Sequence, residues 1–350
     1  MHDSKRREAM RSLPRRSRVG CALDTWLAGP SAIERFRRRT LGQRTVVLPP
    51  RDPGWRRIVP DFDAVLDLAR AGVPFQTVAA RRYDRRADPS VLRRAVREGR
   101  TIFFPQIHQV LPRLARLMVA IRVLLVGPAR EEASYLFAVE GQGRDGMGLH
   151  HDGAVNAFWL QLEGRRTVTI GPPVSARAPL DLPDTLVARD RRMWRTIDLT
   201  PGTLFHMPPR TPHRVVCHGR SLAVSMTWTC ARPRARNLEA LVAWDVVDGT
   251  VDAIPRPSRD RLWVQVPIAP GPVDPHGTVT LSTADGGAAR LPAAFRAWAT
   301  KLTAMPTLER GSVPADALRP LSSAGIVAPV DLPLVVRPAR PRALDGWRFA

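Results

Sequence analysis

One short stretch, residues 148–153, holds residue types that could bind a metal ion. His150 and Asp152 stand two positions apart there, and on an extended strand their side chains project to the same face. A third candidate, His213, follows 213 − 150 = 63 residues later, after a Pro-Gly turn pair that restarts a strand. Two histidines and one carboxylate are the ligand set of non-haem Fe(II) oxygenases, which keep three metal positions open. The pattern predicts that His150, Asp152 and His213 form such a triad if the two segments meet in space.

The same residues also admit a plain structural interpretation. A histidine and an aspartate two positions apart are common by chance, and a histidine on a strand is often a satisfied core residue. The later segment, residues 201–213, favours the metal site because it carries a turn, further prolines and a histidine. The residues alone leave both interpretations open.

Helices and strands are predicted on both sides of this stretch. Apolar residues recur at helical spacing in residues 22–39, 61–71, 89–98 and 111–125, which predicts four helices. Short strands are predicted between them, at residues 45–48, 74–78 and 99–105. From Tyr135 onward, short apolar runs alternate with Gly/Pro turns, which indicates a β-rich core. The predicted fold class is therefore α+β.

The chain beyond Cys230 has a different pattern. The Arg- and Pro-rich run 231–236 is typical of a linker, and residues 237–247 are predicted to be a helix with apolar residues on one face. After a Pro-rich break at 253–262, strands are predicted at 263–268 and 278–283, helices at 292–302 and 314–324, and a strand at 334–336. Two helices followed by a strand suggest a small winged-helix-like module.

The charge of the chain is its most unusual bulk property. The 350 residues carry a formal net charge of +22, and almost all the positive charge is arginine, since Lys5 and Lys301 are the only lysines. Such an excess favours acidic partners such as RNA, a ribosomal particle or an acidic peptide. A solvated basic surface explains it equally well, and no nucleic-acid-binding motif decides between the two.

The cysteines and the apolar runs indicate the compartment. Cys21, Cys217 and Cys230 are odd in number and lack CxxC spacing, which argues against a disulfide framework and suits a reducing cytosol. The longest apolar run, near residues 123–126, is far too short to cross a bilayer, and no secretory signal is evident. The predicted location is the cytoplasm, with no membrane contact.

Two motifs together resemble a known family. GLHHDG…AFWLQLEGRR at 148–166 and LTPGTLFHMPPRTPHRV…SLAVSMTW at 199–228 are similar to the cupin-like branch of the JmjC oxygenases, which includes the ribosomal oxygenases. The similarity covers roughly residues 99–229. It implies a double-stranded β-helix (cupin or jelly-roll) core with flanking helices, then a helical dimerisation segment and a winged helix. The implied division is a basic flexible tail at 1–20, an oxygenase domain at 21–232, a helical linker or dimerisation segment at 233–262, and a winged-helix-like domain at 263–350.

The resemblance also implies a role for individual residues. His150, Asp152 and His213 take the positions of the iron ligands, whereas His151 takes a position that does not bind metal and should point away. The family's lysine that binds the C5 carboxylate of 2-oxoglutarate falls on Arg166, which can make the contact bidentately. Ser225 stands where a threonine often assists. The tyrosine expected upstream falls on Tyr135 or, in another alignment, on Phe137.

Some positions depart from the family pattern. The turn acid after Pro-Gly is replaced by Thr203, and His206 stands where a tyrosine is common. One extra residue lies between Asp152 and Gln161. These departures concern the cosubstrate pocket and leave the three candidate metal ligands in place.

The activity implied is that of a 2-oxoglutarate-dependent dioxygenase, a hydroxylase that uses Fe(II), 2-oxoglutarate and O2. Its substrate would be an amino-acid side chain in a protein, ribosomal or otherwise, or in a peptide, and the protein would be a homodimer. Two alternatives stay open. One is a cupin-like binding protein that has lost turnover, which the pocket departures suggest. The other is a nucleic-acid (tRNA)-modifying oxygenase, which the charge of +22 suggests.

Overall fold

A computed structural model of the chain describes most of its residues. The described ranges are 23–84, 89–127, 132–142, 147–189, 191–230, 244–246, 256–265, 268–283, 287–302, 307–331 and 336–338. The predicted basic tail at 1–20 and most of the predicted linker at 233–262 lie outside them.

Four helices alternate with strands in residues 29–121, close to where the apolar periodicity predicts them. They are α1 (Gly29–Arg39), α2 (Phe62–Arg70), α3 (Leu92–Arg97) and α4 (Pro112–Ile121). Helix α2 begins at a cap, because the Asp61 carboxylate accepts a hydrogen bond from the backbone N–H of Ala64 at 2.9 Å. Helix α4 begins with Pro112, whose missing N–H costs nothing at that position.

Nine antiparallel strands form the main sheet. They are β1 (Val46–Leu48), β2 (Gln76–Ala79), β3 (Arg82–Asp84), β4 (Thr101–Pro105), β5 (Glu132–Gln142), β6 (Val155–Ile170), β7 (Arg195–Leu199), β8 (Leu204–Met207) and β9 (His213–Thr229). Their order is β1-β8-β6-β9-β5-β4-β2-β3, with β7 also paired to β6. A short helix α5 (Thr185–Arg189) lies in the segment between β6 and β7.

The two faces of the sheet bury different sets of side chains. On one face, Phe158, Met226 and Trp228 are buried in an apolar core that also contains residues of the four helices. On the opposite face, a smaller apolar cluster fills the interior of the curved sheet. Its buried members are Ala157, Val168, Ile170, Leu199, Phe205 and Met207. This is the α+β, cupin-type architecture that the sequence predicts.

A bulge in β6 decides which side chains reach the interior. The pairing of β6 with β9 shifts register between Gln161 and Arg165. Gly164 makes the bulge possible, because its φ is +69° and a Cβ there would lie 1.9 Å from the carbonyl oxygen of Arg220. Side chains alternate along a strand, so without the shift Arg166 would face the helices. With it, Arg166 shares the interior face with Gln161.

The segment after β9 differs from the sequence prediction. Residues 244–246 form strand β10 (Trp244–Val246), which pairs with β19 (Val336–Pro338). The predicted helix at 237–247 is therefore wrong at these three residues, and the rest of it lies outside the described part. The physical reason is a long-range partner: β19 supplies the backbone hydrogen bonds that a helix would have made within itself. The predicted final strand is confirmed at residue 336.

The C-terminal part has its own apolar core, drawn mostly from residues 262–327. Its elements are β11 (Arg256–Pro257), β12 (Arg261–Val264), β13 (Ile268–Val273), β14 (Thr278–Thr283), β15 (Ala288–Pro292), α6 (Arg296–Leu302), β16 (Thr307–Glu309), α7 (Ala315–Ser323), β17 (Val327–Ala328) and β18 (Val330–Asp331). Both predicted helices and the strand at 278–283 are confirmed. The single strand predicted at 263–268 is wrong, since β12 ends at Val264 and β13 begins at Ile268.

The winged-helix arrangement of this part stays a prediction.

None of the helices in the described ranges combines the length and the apolar composition that a bilayer crossing requires.

Candidate metal centre

The structure brings the three predicted ligands together. One ligand atom from each of His150, Asp152 and His213 lies within 4.8 Å of the others. The Oδ1 atom of Asp152 is 3.7 Å from Nε2 of His150 and 4.0 Å from Nε2 of His213. Three ligand atoms therefore surround one point, although their role as metal ligands stays a prediction.

A backbone bridge, rather than a common strand, positions these residues. His150 forms an isolated antiparallel bridge with His213 and another with Asp181. Asp152 lies two residues beyond the bridge, outside any strand and next to Gly153, whose φ is +76°. The predicted strand is therefore wrong at Asp152. The predicted proximity is confirmed, since its carboxylate lies 3.7 Å from Nε2 of His150.

The tautomer of each histidine follows from its backbone partner. Nδ1 of His150 lies 2.9 Å from the carbonyl oxygen of Gly148, and Nδ1 of His213 lies 3.0 Å from that of Thr211. A carbonyl oxygen only accepts hydrogen bonds, so both Nδ1 atoms carry the proton. In the neutral rings the Nε2 lone pairs are then free, and both Nε2 atoms lie on the side of Asp152. This is the arrangement by which outer contacts orient metal-binding histidines.

Burial keeps His213 in its neutral form. Its side chain is 1% exposed, and burial, with a smaller effect of His150, lowers its pKa to about 4. Its Nε2 atom has no hydrogen-bond partner among the described residues. A buried nitrogen without a partner is costly, and a metal ion at the centre of the cluster would satisfy it. Two imidazole nitrogens and a carboxylate oxygen suit Fe(II), so the residues fit the metal that the resemblance implies.

His151 lies outside the cluster. It is buried, and its Nδ1 accepts a hydrogen bond from the backbone N–H of Gly153 at 3.0 Å. Its own backbone N–H donates to the carbonyl of Leu180. These contacts help to hold the backbone on both sides of Asp152.

Arg166, the predicted 2-oxoglutarate contact, is buried on the interior face of β6. Its Nε donates to Oγ of Ser221 at 2.8 Å, and Nη2 donates to the carbonyl of Phe137 at 3.1 Å. No acidic side chain pairs with it among the described residues. Burial lowers its pKa, an effect that the neighbouring Cys217 opposes, yet a guanidinium stays charged at neutral pH. Burying a cation without a counter-ion costs free energy, so an anionic ligand bound next to Arg166 would stabilise this position.

The other two predicted cosubstrate residues lie on the same interior surface. Tyr135 on β5 stands opposite Ser225 on β9, and Ser225 also stands opposite Trp159 on β6. Phe137, the other candidate position for the family's tyrosine, is two residues from Tyr135, and its ring centre lies 6.0 Å from the Arg166 guanidinium carbon. Both candidate positions therefore face the interior. Trp159 closes the surface beside the cluster, with its ring 5.0 Å from that of His213.

Two further residues support Arg166 and were not predicted from the sequence. Nε2 of Gln161 donates to Oγ of Ser221 at 3.1 Å and to the carbonyl of Glu163 at 2.6 Å. Oγ of Ser221 thus accepts hydrogen bonds from both Gln161 and Arg166. Gln161 belongs to the first of the two family motifs, and strand alternation places Ser221 on the face of Ser225. Both residues could therefore have been predicted from the sequence.

His206 faces away from this surface. Its ring lies 4.8 Å from that of Phe158 and 5.4 Å from that of Phe36, within the core beside the helices. Burial lowers its pKa to about 4. The departure at this position therefore leaves the interior surface unchanged.

The chain thus combines a cupin-type fold with a His–Asp–His cluster at one end of its sheet. Residues 110–238 match the family model described as the JmjC domain. All six predicted site residues lie within the match, which confirms the resemblance found in the motifs. A search of curated proteins gives no match.

Solved structures of Escherichia coli proteins are similar to this chain. One is the ycfD protein, with 19% identity, coverage of 58% of this chain and 53% of that chain, and a TM-score of 0.45. In that match the chain spans about half the length of its relative. Another is the ribosomal oxygenase YcfD in complex with cobalt and succinic acid, with 15% identity, coverage of 84% and 97%, and a TM-score of 0.42. A third is YcfD with cobalt and 2-oxoglutarate, with 14% identity, coverage of 83% and 94%, and a TM-score of 0.38.

Proposed function

We propose that this protein is an Fe(II)- and 2-oxoglutarate-dependent oxygenase that hydroxylates an amino-acid side chain in a protein or peptide. The observation that carries the proposal is the buried Arg166, which has no acidic partner among the described residues and lies in the same interior as the His–Asp–His cluster. The JmjC family match of residues 110–238 supports it.

The three clustered residues would hold the metal. His150 and His213 would bind through Nε2, and Asp152 through a carboxylate oxygen. When bound, iron supplies the oxidation chemistry that couples 2-oxoglutarate and O2 to the substrate C–H bond. The chain's own part is to orient the two imidazoles, because the Gly148 and Thr211 carbonyls accept hydrogen bonds from their Nδ1 atoms. The rings of Trp159 and Phe205, 5.8 Å apart, would limit the access of water on the interior side.

Arg166 would bind the far carboxylate of 2-oxoglutarate. Arg166 stands opposite Cys217, whereas Ile170 stands opposite His213, so four residues, or about 13 Å of strand, separate the two rows. An elongated dicarboxylate together with the arginine side chain suits such a separation. Ser225 on β9 and Tyr135 on β5, which stand opposite each other, would contact the same ligand.

The substrate and the assembly are part of the same proposal. YcfD is a ribosomal oxygenase, and a ribosomal protein is the substrate class that we propose for this chain. The net charge of +22 suits contact with ribosomal RNA near such a substrate. We also propose a cytoplasmic location, dimerisation through residues 233–262, and domains at 21–232 and 263–350. The separate apolar core of the C-terminal part supports a boundary near residue 263.

One assay tests the proposal and separates its alternatives. The purified chain is incubated with Fe(II), 2-oxoglutarate and ascorbate, succinate is measured, and binding of the metal and of 2-oxoglutarate is measured in parallel. Succinate formation that rises with a ribosomal-protein fraction supports the proposal, and substrates would be found by mass spectrometry as gains of one oxygen atom. Binding of both ligands without turnover would identify a cupin-like binding protein, and tRNA-stimulated turnover a nucleic-acid-modifying enzyme. Absence of both ligand affinities would overturn the oxygenase proposal.

A further inference from the structure

The hairpin between β2 and β3 has a strained turn. Its two central residues, Ala80 and Arg81, have φ of 47° and 63°, and Ala79 pairs with Arg82 across the turn. Positive φ at both positions is typical of a type I′ turn, which Asn and Gly occupy far more readily. Strain of this kind persists where contacts with the surrounding structure hold the strained residue in place.

The Arg81 side chain leaves this turn and contacts two other segments. Its Nη2 donates to the carbonyl of Leu182 at 3.1 Å and to that of Leu149 at 3.5 Å, and it lies 3.5 Å from a carboxylate oxygen of Asp184. Gly148 leaves room for the guanidinium, since a Cβ there would lie 2.0 Å from Nε of Arg81. The guanidinium therefore packs directly against the backbone of residues 148–149.

These two segments carry one side of the metal cluster. Leu149 immediately precedes His150, and the backbone N–H of Leu182 donates to the Leu149 carbonyl at 2.9 Å. The Gly148 carbonyl, beside the Arg81 guanidinium, is the group that orients the His150 ring. Arg81 thus joins the chain before His150 to the chain that pairs with it.

We propose that Arg81 is a positioning residue for the metal centre. It acts through hydrogen bonds to the Leu149 and Leu182 carbonyls and through its packing against Gly148. These contacts keep the His150 imidazole directed at the metal. The inference rests on the proposed function, because it assigns a role within the same metal site. Loss of groups that orient metal ligands typically weakens metal binding about 10–100-fold, which is the effect expected here.

Co(II) binding to the full chain tests this role. Visible absorption reports both the affinity and the coordination geometry, and a thermal melt of the metal-free protein reports folding. Arg81→Gly removes the side chain and relieves the positive φ, so the metal-free protein should melt no lower than wild type. Its Kd for Co(II) should nevertheless rise about 10–100-fold. Arg81→Lys keeps the charge but not the forked contact with two carbonyls, and it should weaken binding less.

Ala80→Gly is the matched control. It relieves the same strain at the adjacent position and keeps the Arg81 contacts, so its Co(II) affinity should equal that of wild type. If Arg81→Gly lowers the melting temperature, the Kd of Arg81→Lys for Co(II) is compared with that of wild type instead. Wild-type affinity in both Arg81 variants would overturn the inference while leaving the proposed function standing. A wild-type chain that does not bind Co(II) would contradict the proposed function itself.

Discussion

His150 and His213 exchange backbone hydrogen bonds across an isolated antiparallel bridge. The N–H of His150 donates at 3.1 Å and that of His213 at 2.8 Å, each to the carbonyl of the other. The two imidazole rings consequently lie 4.2 Å apart, although 63 residues separate them in the chain. The bridge fixes the distance between the two candidate ligands, so the proposed metal site is largely preorganised.

The first prediction concerns the two adjacent histidines. His150→Ala or Asp152→Ala should abolish Co(II) binding, because each removes one of the three proposed ligand atoms at the cluster. His151→Ala should leave binding intact, since its Nδ1 contacts the backbone of Gly153 instead. Isothermal titration of each variant checks this, and the opposite ranking would mean that the ligand is His151.

The second prediction concerns the buried guanidinium. Arg166→Met should raise the Kd for 2-oxoglutarate roughly 10–100-fold, the loss expected for a charge-assisted hydrogen bond of about 1.5–3 kcal/mol. Arg165→Ala is the matched control, because the adjacent side chain is 54% exposed. Titration of 2-oxoglutarate in the presence of Co(II) measures both. Equal affinities for the two variants would remove Arg166 from the cosubstrate site.

The third prediction concerns the β6 bulge. Gly164→Ala places a methyl group 1.9 Å from the Arg220 carbonyl, in addition to the cost of its positive φ. Gly219→Ala is the control: its φ is +73°, but no atom lies within 4 Å of the new methyl group. In urea unfolding, Gly164→Ala should lose about 1–3 kcal/mol more than Gly219→Ala. It should also weaken 2-oxoglutarate binding, because the bulge turns Arg166 inward. A loss no greater than that of Gly219→Ala would mean that the bulge tolerates a side chain.

The fourth prediction concerns acid stability without metal. Burial lowers the pKa of His108 to about 3 and that of His206 to about 4, whereas both take up protons near pH 6.5 when unfolded. The unfolded chain therefore binds more protons between these values, and stability should fall as the pH drops from about 6.5 to about 4. His108→Gln should reduce the slope by up to about 1.4 kcal/mol per pH unit, and His276→Gln, at an exposed position, should not. Urea unfolding at several pH values in EDTA measures the slope; an unchanged slope in His108→Gln would contradict the prediction.

The sequence was sufficient for features that depend on local chemistry. Helix α2 follows from apolar spacing and from the capping Asp61, both of which act within a few residues. The candidate ligands His150, Asp152 and His213 follow from residue type and motif, and so does the JmjC match that contains them. These features can be predicted from the sequence because periodicity, capping and ligand chemistry are properties of short segments.

Other features depended on partners far away in the chain. Asp152 lies beside His213 because His150 and His213 form a bridge, and Arg166 faces the interior because of a register shift against β9. Arg81 meets the backbone beside His150 only in the folded chain, and residues 244–246 become a strand because residues 336–338 pair with them. In each case the direction of a side chain or the partner of a backbone group is set by long-range pairing. Local spacing carries no information about such pairing, so only the folded chain brings His213 to the two-residue motif and forms the three-residue cluster.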